Sequence, residues 1–347
     1  GMAPTWASRG PRAMPGGLCY TAPAMRILFV TATRIGDAVL STGLLDHLIR
    51  AHPGARVTVA CGPAASGLFA HVPGLDRVIA MEKRDFRGHW WSLWAASVRT
   101  RWDLVVDLRG SALAWLVRAR SRTVMGGGRR PGHRLAQLGA VLGLDPPPLP
   151  VVWTAAADHA RASMLLPPGP PVIGLGPTAN WPGKVWAPER FVALFDRLAG
   201  AGGALPGARV AVFAGPGEAE AAMAAPVLAA LPRGRMIDLA GRLTLTEVAA
   251  ALARCALYVG NDSGLMHLAA AAGTPTVGLF GPSPPEEYAP CGPHAAVART
   301  RVPMAELIAA PDYDHRTTGS LMGSLPVEDV VEAAATLLAR LAPAAAQ

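Results

Sequence analysis

The chain has 347 residues, enough for two domains with a core each. No run reaches the roughly 18 uncharged apolar residues that would cross a bilayer. Nor do Cys19, Cys61, Cys255 and Cys291 show the C-x-x-C spacing of a zinc site or the density of a disulfide framework. Residues 1–150 hold 19 Lys and Arg against 8 Asp and Glu, net +11, whereas residues 151–347 hold 13 against 16, net −3, so the first half should attract anions.

Residues 1–24 are rich in Gly, Pro and Ala without a period and predict a flexible leader, with Met25 a candidate native start. The apolar segment 27–32 follows Arg26 and is soon interrupted by Arg34 and Asp37. It reads as a first buried strand rather than a signal peptide, and a cytoplasmic protein is expected. Strands are then predicted near 26–31, 56–60, 77–80 and 103–107, with helices near 38–51, 64–71, 88–100 and 111–118. Such alternation implies a parallel sheet covered on both faces. The helix near 88–100 carries Trp90, Trp91 and Trp94 beside Arg87 and His89, a pattern that suits core packing or a membrane surface.

Proline clusters at 145–150 and 167–171 bracket a short helical segment and end regular structure, which places the interdomain connection at 151–171. Domains are therefore expected at 25–150 and 172–325, with a closing helix and tail at 326–347. The second set of strands is predicted near 172–175, 208–213, 236–238, 256–259 and 275–279. Thr244-Leu245-Thr246-Glu247 is a capping box for a helix at about 245–253.

The most informative stretch is 259–282, which reads as strand, polar turn, helix, strand. Asp262 or Ser263 can cap the helix, and Gly264 lets a ligand approach the backbone. The free amides and the positive dipole end favour a phosphate. His267 lies four residues after Ser263, on the same helix face. Lys184 is one of only two lysines among 32 basic residues, and a compact ammonium suits a single phosphate oxygen. Asp37 ends the turn after the first strand, at the carboxyl edge where open parallel sheets bind ligands, and could equally cap the next helix. Glu218, with Glu220 as its competitor, follows the strand at 208–213. It reads either as a ligand contact or as an acidic residue favouring a helix start.

The block Asp262-Ser263-Gly264-x-x-His267, with Met25 to Val30 running into Ile35-Gly36-Asp37, resembles the heptosyltransferases of glycosyltransferase family 9. So do Val105 to Gly110, Gly176-Pro177 through Lys184-Val185-Trp186, and Val327 to Val330, so the resemblance extends over about residues 25–340. It implies a GT-B fold, two facing Rossmann-like domains with parallel sheets and a donor site in the cleft. The implied reaction is metal-independent, inverting transfer of a heptose-like sugar from an ADP-sugar to an anionic lipopolysaccharide-core glycolipid. Neither a cofactor nor a nucleic-acid partner is implied, and the resemblance is compatible with peripheral contact at the inner face of the inner membrane.

By the same resemblance Asp37 is the general base. Thr178, Asn180, Lys184 and Glu218 join Asp262, Ser263, Gly264 and His267 on the donor. Arg109, Arg120 and Arg122 are drawn from an arginine-rich stretch as acceptor contacts, because guanidinium groups pair bidentately with phosphates and carboxylates. Two other readings compete. A dinucleotide-dependent Rossmann enzyme predicts G-x-G-x-x-G after the first strand, which Arg34-Ile35-Gly36-Asp37 lacks. A non-catalytic polyanion-binding protein would need neither Asp37 nor a nucleotide site.

Overall fold

The computed structural model describes residues 24–82, 88–128, 131–309, 313–314 and 317–342. Lys83, Arg87, Arg129, Arg130 and all of the expected leader but Ala24 lie outside them. The first half contains β1 (Arg26–Val30), α1 (Ile35–Ala51), β2 (Arg56–Cys61), α2 (Pro63–Ser66), β3 (Leu75–Ala80), α3 (Gly88–Ser97), β4 (Trp102–Asp107), α4 (Leu113–Leu116), β5 (Ala119–Val124) and α5 (Arg134–Gly139). The helix α6 (Ala156–Leu165) follows in the connecting segment.

The second half begins with β6 (Val172–Gly176), α7 (Pro188–Ala199), β7 (Arg209–Val212), α8 (Glu218–Ala230), β8 (Met236–Asp238), α9 (Leu245–Leu252) and β9 (Leu257–Asn261). It ends with α10 (Gly264–Ala271), β10 (Thr276–Phe280), α11 (Pro285–Tyr288), β11 (Ala295–Arg299), α12 (Met304–Leu307) and α13 (Val327–Leu341).

Two parallel sheets result, ordered β3-β2-β1-β4-β5 and β11-β10-β9-β6-β7-β8. Their central strands are apolar without alternation because both faces are covered: β9 and β10 are buried at every residue, and β1 at all but Arg26. The edge strands β5 and β11 were not anticipated from the sequence. Half-exposed and rich in Arg, Ser and Ala, they show no apolar run.

In each sheet the strand order reverses once, between β1 and β4 in the first and between β6 and β9 in the second. Splayed connections at such a point open a crevice beyond the strands' carboxyl ends. The proline-rich connection runs across α1, where Val151 donates to Thr42 Oγ1 at 3.0 Å and a Cβ at Gly43 would stand 2.4 Å from the Leu149 carbonyl oxygen. The closing helix α13 packs on α7, β10 and β11, so it belongs to the second sheet's layer.

The two halves share a seam. α1 packs on α10, and α6 packs on α9, where Thr246 donates to Asp158 at 3.2 Å. His71 reaches the same Asp158 carboxylate at 3.2 Å. Glycine is required at the tightest point of this seam. A Cβ on Gly264 would stand 2.8 Å from Ile35 Cβ, and one on Gly36 would stand 3.0 Å from His267 Cδ2.

Candidate active site

α1 begins at Ile35 rather than near 38, with Arg34 at the N-cap position and no side-chain cap. Asp37 therefore does not cap the helix. It lies in the first turn, where an acidic side chain complements the dipole and remains free for other work. It lines a cavity of about 330 Å³ at the β1/β4 switch point, together with Thr31, Arg34, Arg109, Arg134 and Leu138. Arg134 Nε stands 3.6 Å from Asp37 Oδ1, an ion pair without a hydrogen bond.

Of the three arginines expected to bind the acceptor, only Arg109 reaches this cavity. Arg122 is spent elsewhere, donating to the Ala114 carbonyl at 2.9 Å and stacking 5.3 Å from the Trp115 ring, and Arg120 is exposed on the edge strand β5. Arg34 and Arg134 line the cavity beside Arg109. Sequence reasoning missed Arg134 because it lies nearly 100 residues from Asp37. The only signal for Arg34 was its position just before the Gly-Asp pair.

The β6/β9 switch point of the second sheet carries the other group. Lys184 forms a hydrogen-bonded ion pair with Asp262, both largely buried. Asp262 does not cap α10, whose N-cap position is Ser263, and pairs with Lys184 instead. Two of the three ammonium protons remain for another anion.

Asn261, which was not anticipated, ties the two strand ends together. Its amide donates to the Pro177 carbonyl at 2.9 Å, and its oxygen accepts from the Trp186 amide at 3.2 Å. Trp186 is fully buried and donates to the Leu325 carbonyl at 3.0 Å, so it braces the Lys184 loop rather than entering the site. In that loop Thr178 is buried and Asn180 exposed. Glu218 opens α8 exposed to solvent, whereas Glu220 accepts from the Gly215 amide at 2.8 Å and closes the turn after β7.

Ser263 occupies the N-cap position of α10 without forming a side-chain cap, and its Oγ is buried. The first-turn amides of α10 have no partner within the helix and face the seam with the dipole's positive end. His267 is buried beside Gly36, and its Nδ1 has no hydrogen-bond partner. Burial lowers its pKa to about 4, against the opposing pull of Asp262 and Asp37, so the imidazole is neutral.

His133 was also missed. Its Nδ1 accepts from the Leu135 amide at 3.1 Å, capping α5, which leaves the Nε2 proton for the Ala289 carbonyl at 2.9 Å across the seam. Among the described residues no group of three or more His, Cys, Asp or Glu could hold a metal ion.

A carboxylate under one sheet's switch point thus faces a lysine and a helix N-terminus under the other's. The family model of "Glycosyltransferase family 9 (heptosyltransferase)" matches residues 132–307. The chain belongs to glycosyltransferase family 9. It is a glycosyltransferase of the GT-B fold.

Lipooligosaccharide heptosyltransferase 2 of Haemophilus influenzae is 35% identical over 134 residues, 37% of this chain and 36% of that protein, so the match spans about a third of the relative. Lipopolysaccharide heptosyltransferase 2 of Salmonella typhimurium is 27% identical over 315 residues, 79% of this chain and 88% of that protein. A glycosyl transferase family 9 structure from Veillonella parvula superposes with a TM-score of 0.73 at 25% identity, over 91% of this chain and 97% of that one. The structure of E. coli ADP-heptose lps heptosyltransferase II has a TM-score of 0.69 at 22% identity, over 91% and 99%, a likeness of fold.

Proposed function

We propose that this glycosyltransferase moves a heptose-like sugar from an ADP-sugar to an anionic glycolipid of the lipopolysaccharide core, with inversion at the anomeric carbon. The observation that carries this reading is the apposition of the Asp37 carboxylate with the Lys184–Asp262 pair and the start of α10. Domain limits of 25–150 and 172–325, with the donor on the second domain, complete this reading, and the closing helix α13 packs against the second sheet.

In this reading Asp37 accepts the proton of an acceptor hydroxyl as its oxygen attacks the anomeric carbon. The bond between that carbon and the diphosphate oxygen breaks, and ADP departs with the electron pair. Charge growing on the departing diphosphate is met by Lys184 and by the amides at the start of α10. Asp262 holds the ammonium in place. A direct attack from the face opposite ADP inverts the configuration. In this reading Thr178, Asn180 and Ser263 add hydrogen bonds to the donor, and Glu218, with Glu220 as its competitor, contacts the nucleoside. Arg34, Arg109 and Arg134 give the acceptor pocket its affinity for phosphate or carboxylate groups.

The acceptor-side cavity around Asp37 is lined by polar and charged groups, as a sugar site requires. The test is to incubate the protein with ADP-heptose and a phosphorylated core glycolipid, follow ADP release, and assign the anomeric configuration of the product by NMR. Release of ADP only in the presence of acceptor, with an inverted product, is expected. Failure of ADP to bind or raise the melting temperature would overturn the reading in favour of a polyanion-binding protein.

A further inference from the structure

We propose that the α3/α4 face of the N-terminal half is a docking surface for a phospholipid bilayer carrying anionic headgroups. The observation is a set of uncovered large apolar side chains on two helices that pack against each other. Trp91 is 68%, Trp115 67% and Leu116 60% exposed. They are joined through Trp94, whose ring meets that of Trp91 edge-on at 5.9 Å and whose Nε1 donates to the Leu116 carbonyl at 3.2 Å. Taking about 250 Å² for a fully exposed tryptophan, the three expose roughly 400 Å², the size at which an apolar patch marks an interaction site. The tryptophans read from sequence as suited to core packing or a membrane surface are thus divided. Trp90 and Trp94 are half-buried against a core containing Leu93 and Leu113, and Trp91 points away from it.

Charge selects the occupant. Residues 88–122 hold six arginines and two carboxylates. Of the two carboxylates, Asp107 is buried and hydrogen-bonded to Ser111 and to the Arg109 amide, and Asp103 accepts from the Arg26 amide. The guanidinium of Arg122 lies over Trp115, that of Arg109 lies 5.4 Å from the Trp90 ring, and Arg118 and Arg120 are exposed beside Leu116 in sequence. Indole rings settle at headgroup depth, and arginines reach from there to phosphates. No helix among the described residues is long and apolar enough to cross a membrane, so the contact is peripheral. Arg109 also lines the Asp37 cavity, which makes the patch continuous with the pocket assigned to the acceptor. The surface therefore extends the proposed function: a lipid-anchored acceptor standing out of the bilayer would meet Asp37 at the edge of the docked face.

The test is co-sedimentation of the full-length protein with vesicles of phosphatidylglycerol and phosphatidylethanolamine, or of phosphatidylcholine alone, without donor or acceptor. Its failure therefore leaves the transfer reading standing. Binding to the anionic vesicles is expected, weakening with salt. W91S/W115S should reduce the partition coefficient at least tenfold, and R118E/R120E should abolish the preference for phosphatidylglycerol. All four positions are exposed, so unchanged melting temperatures are expected and confirm folding. The proposal is overturned if wild type ignores anionic vesicles or if W91S/W115S binds them as wild type does. It is also overturned if wild type sediments as a dimer that W91S/W115S converts to monomer, which would make the patch a contact between copies.

Discussion

Replacing Gly264 by alanine separates local from tertiary effects. Locally the change should help, since alanine is up to about 1 kcal/mol better than glycine within a helix, and less at its first turn. The seam predicts the opposite. The new Cβ would stand 2.8 Å from Ile35 Cβ, 2.9 Å from Ile35 Cγ2 and 3.2 Å from the Gly36 nitrogen. Carbon pairs rest at about 3.5–4.0 Å, so α1 and α10 must part by roughly 1 Å. Overpacking of this kind costs about 1–3 kcal/mol, which offsets the helix gain. The larger effect falls on chemistry, because Asp37 rides on α1 while Lys184 and Asp262 belong to the other sheet. A displacement of about 1 Å between them should lower kcat by about 10²-fold. The dissociation constant for ADP should change little. Gly36→Ala should be milder, since its neighbour is His267 Cδ2 at 3.0 Å and a side chain can rotate away. Initial rates and calorimetry on folded variants provide the measurement. A Gly264→Ala enzyme with wild-type kcat would refute the argument that this contact sets the geometry between the domains.

Asp37→Asn should lower turnover by about 10²-fold or more while ADP binding is kept, and a folded variant with near-normal turnover would show that another group takes the proton. Lys184→Ala should weaken ADP binding by about 1.5–3 kcal/mol, the scale of a lost charged hydrogen bond, as read by calorimetry. Arg109→Ala with Arg134→Ala should raise the acceptor KM selectively and flatten its rise with salt, since ions screen exposed contacts over about 10 Å at 0.1 M. A salt-insensitive KM in wild type would mean a neutral acceptor. His267 has its pKa lowered from 6.5 to about 4 by burial, so the unfolded chain takes up this proton first. Stability is then fully present above pH 6.5 and lost as pH falls toward 4, by as much as about 3 kcal/mol. Urea denaturation should show that slope in wild type and a shallower one in His267→Gln.

Much of this protein was legible in its sequence because the relevant patterns are local. Buried parallel strands write themselves as continuous apolar runs, so the alternating order and the two parallel sheets could be read from residues 26–31 through 275–279. The GT-B class was what the resemblance of the Asp262 to His267 block and its companion segments implied. Asp37 after the first strand and the Asp262 to His267 block also stood out, since a strand end followed by glycine and a polar residue is a contiguous signal. Edge strands β5 and β11 did not, because half-exposed positions accept Arg, Ser and Ala. What only the tertiary structure decided is which side chains meet. Strand order brings Arg134 to Asp37 and Lys184 to Asp262 across 97 and 78 residues, turns Arg122 onto Trp115, and leaves Trp91 uncovered. A guanidinium or an indole has the same local preferences in a core, a pocket or a surface patch, and its place is fixed by the elements packed around it.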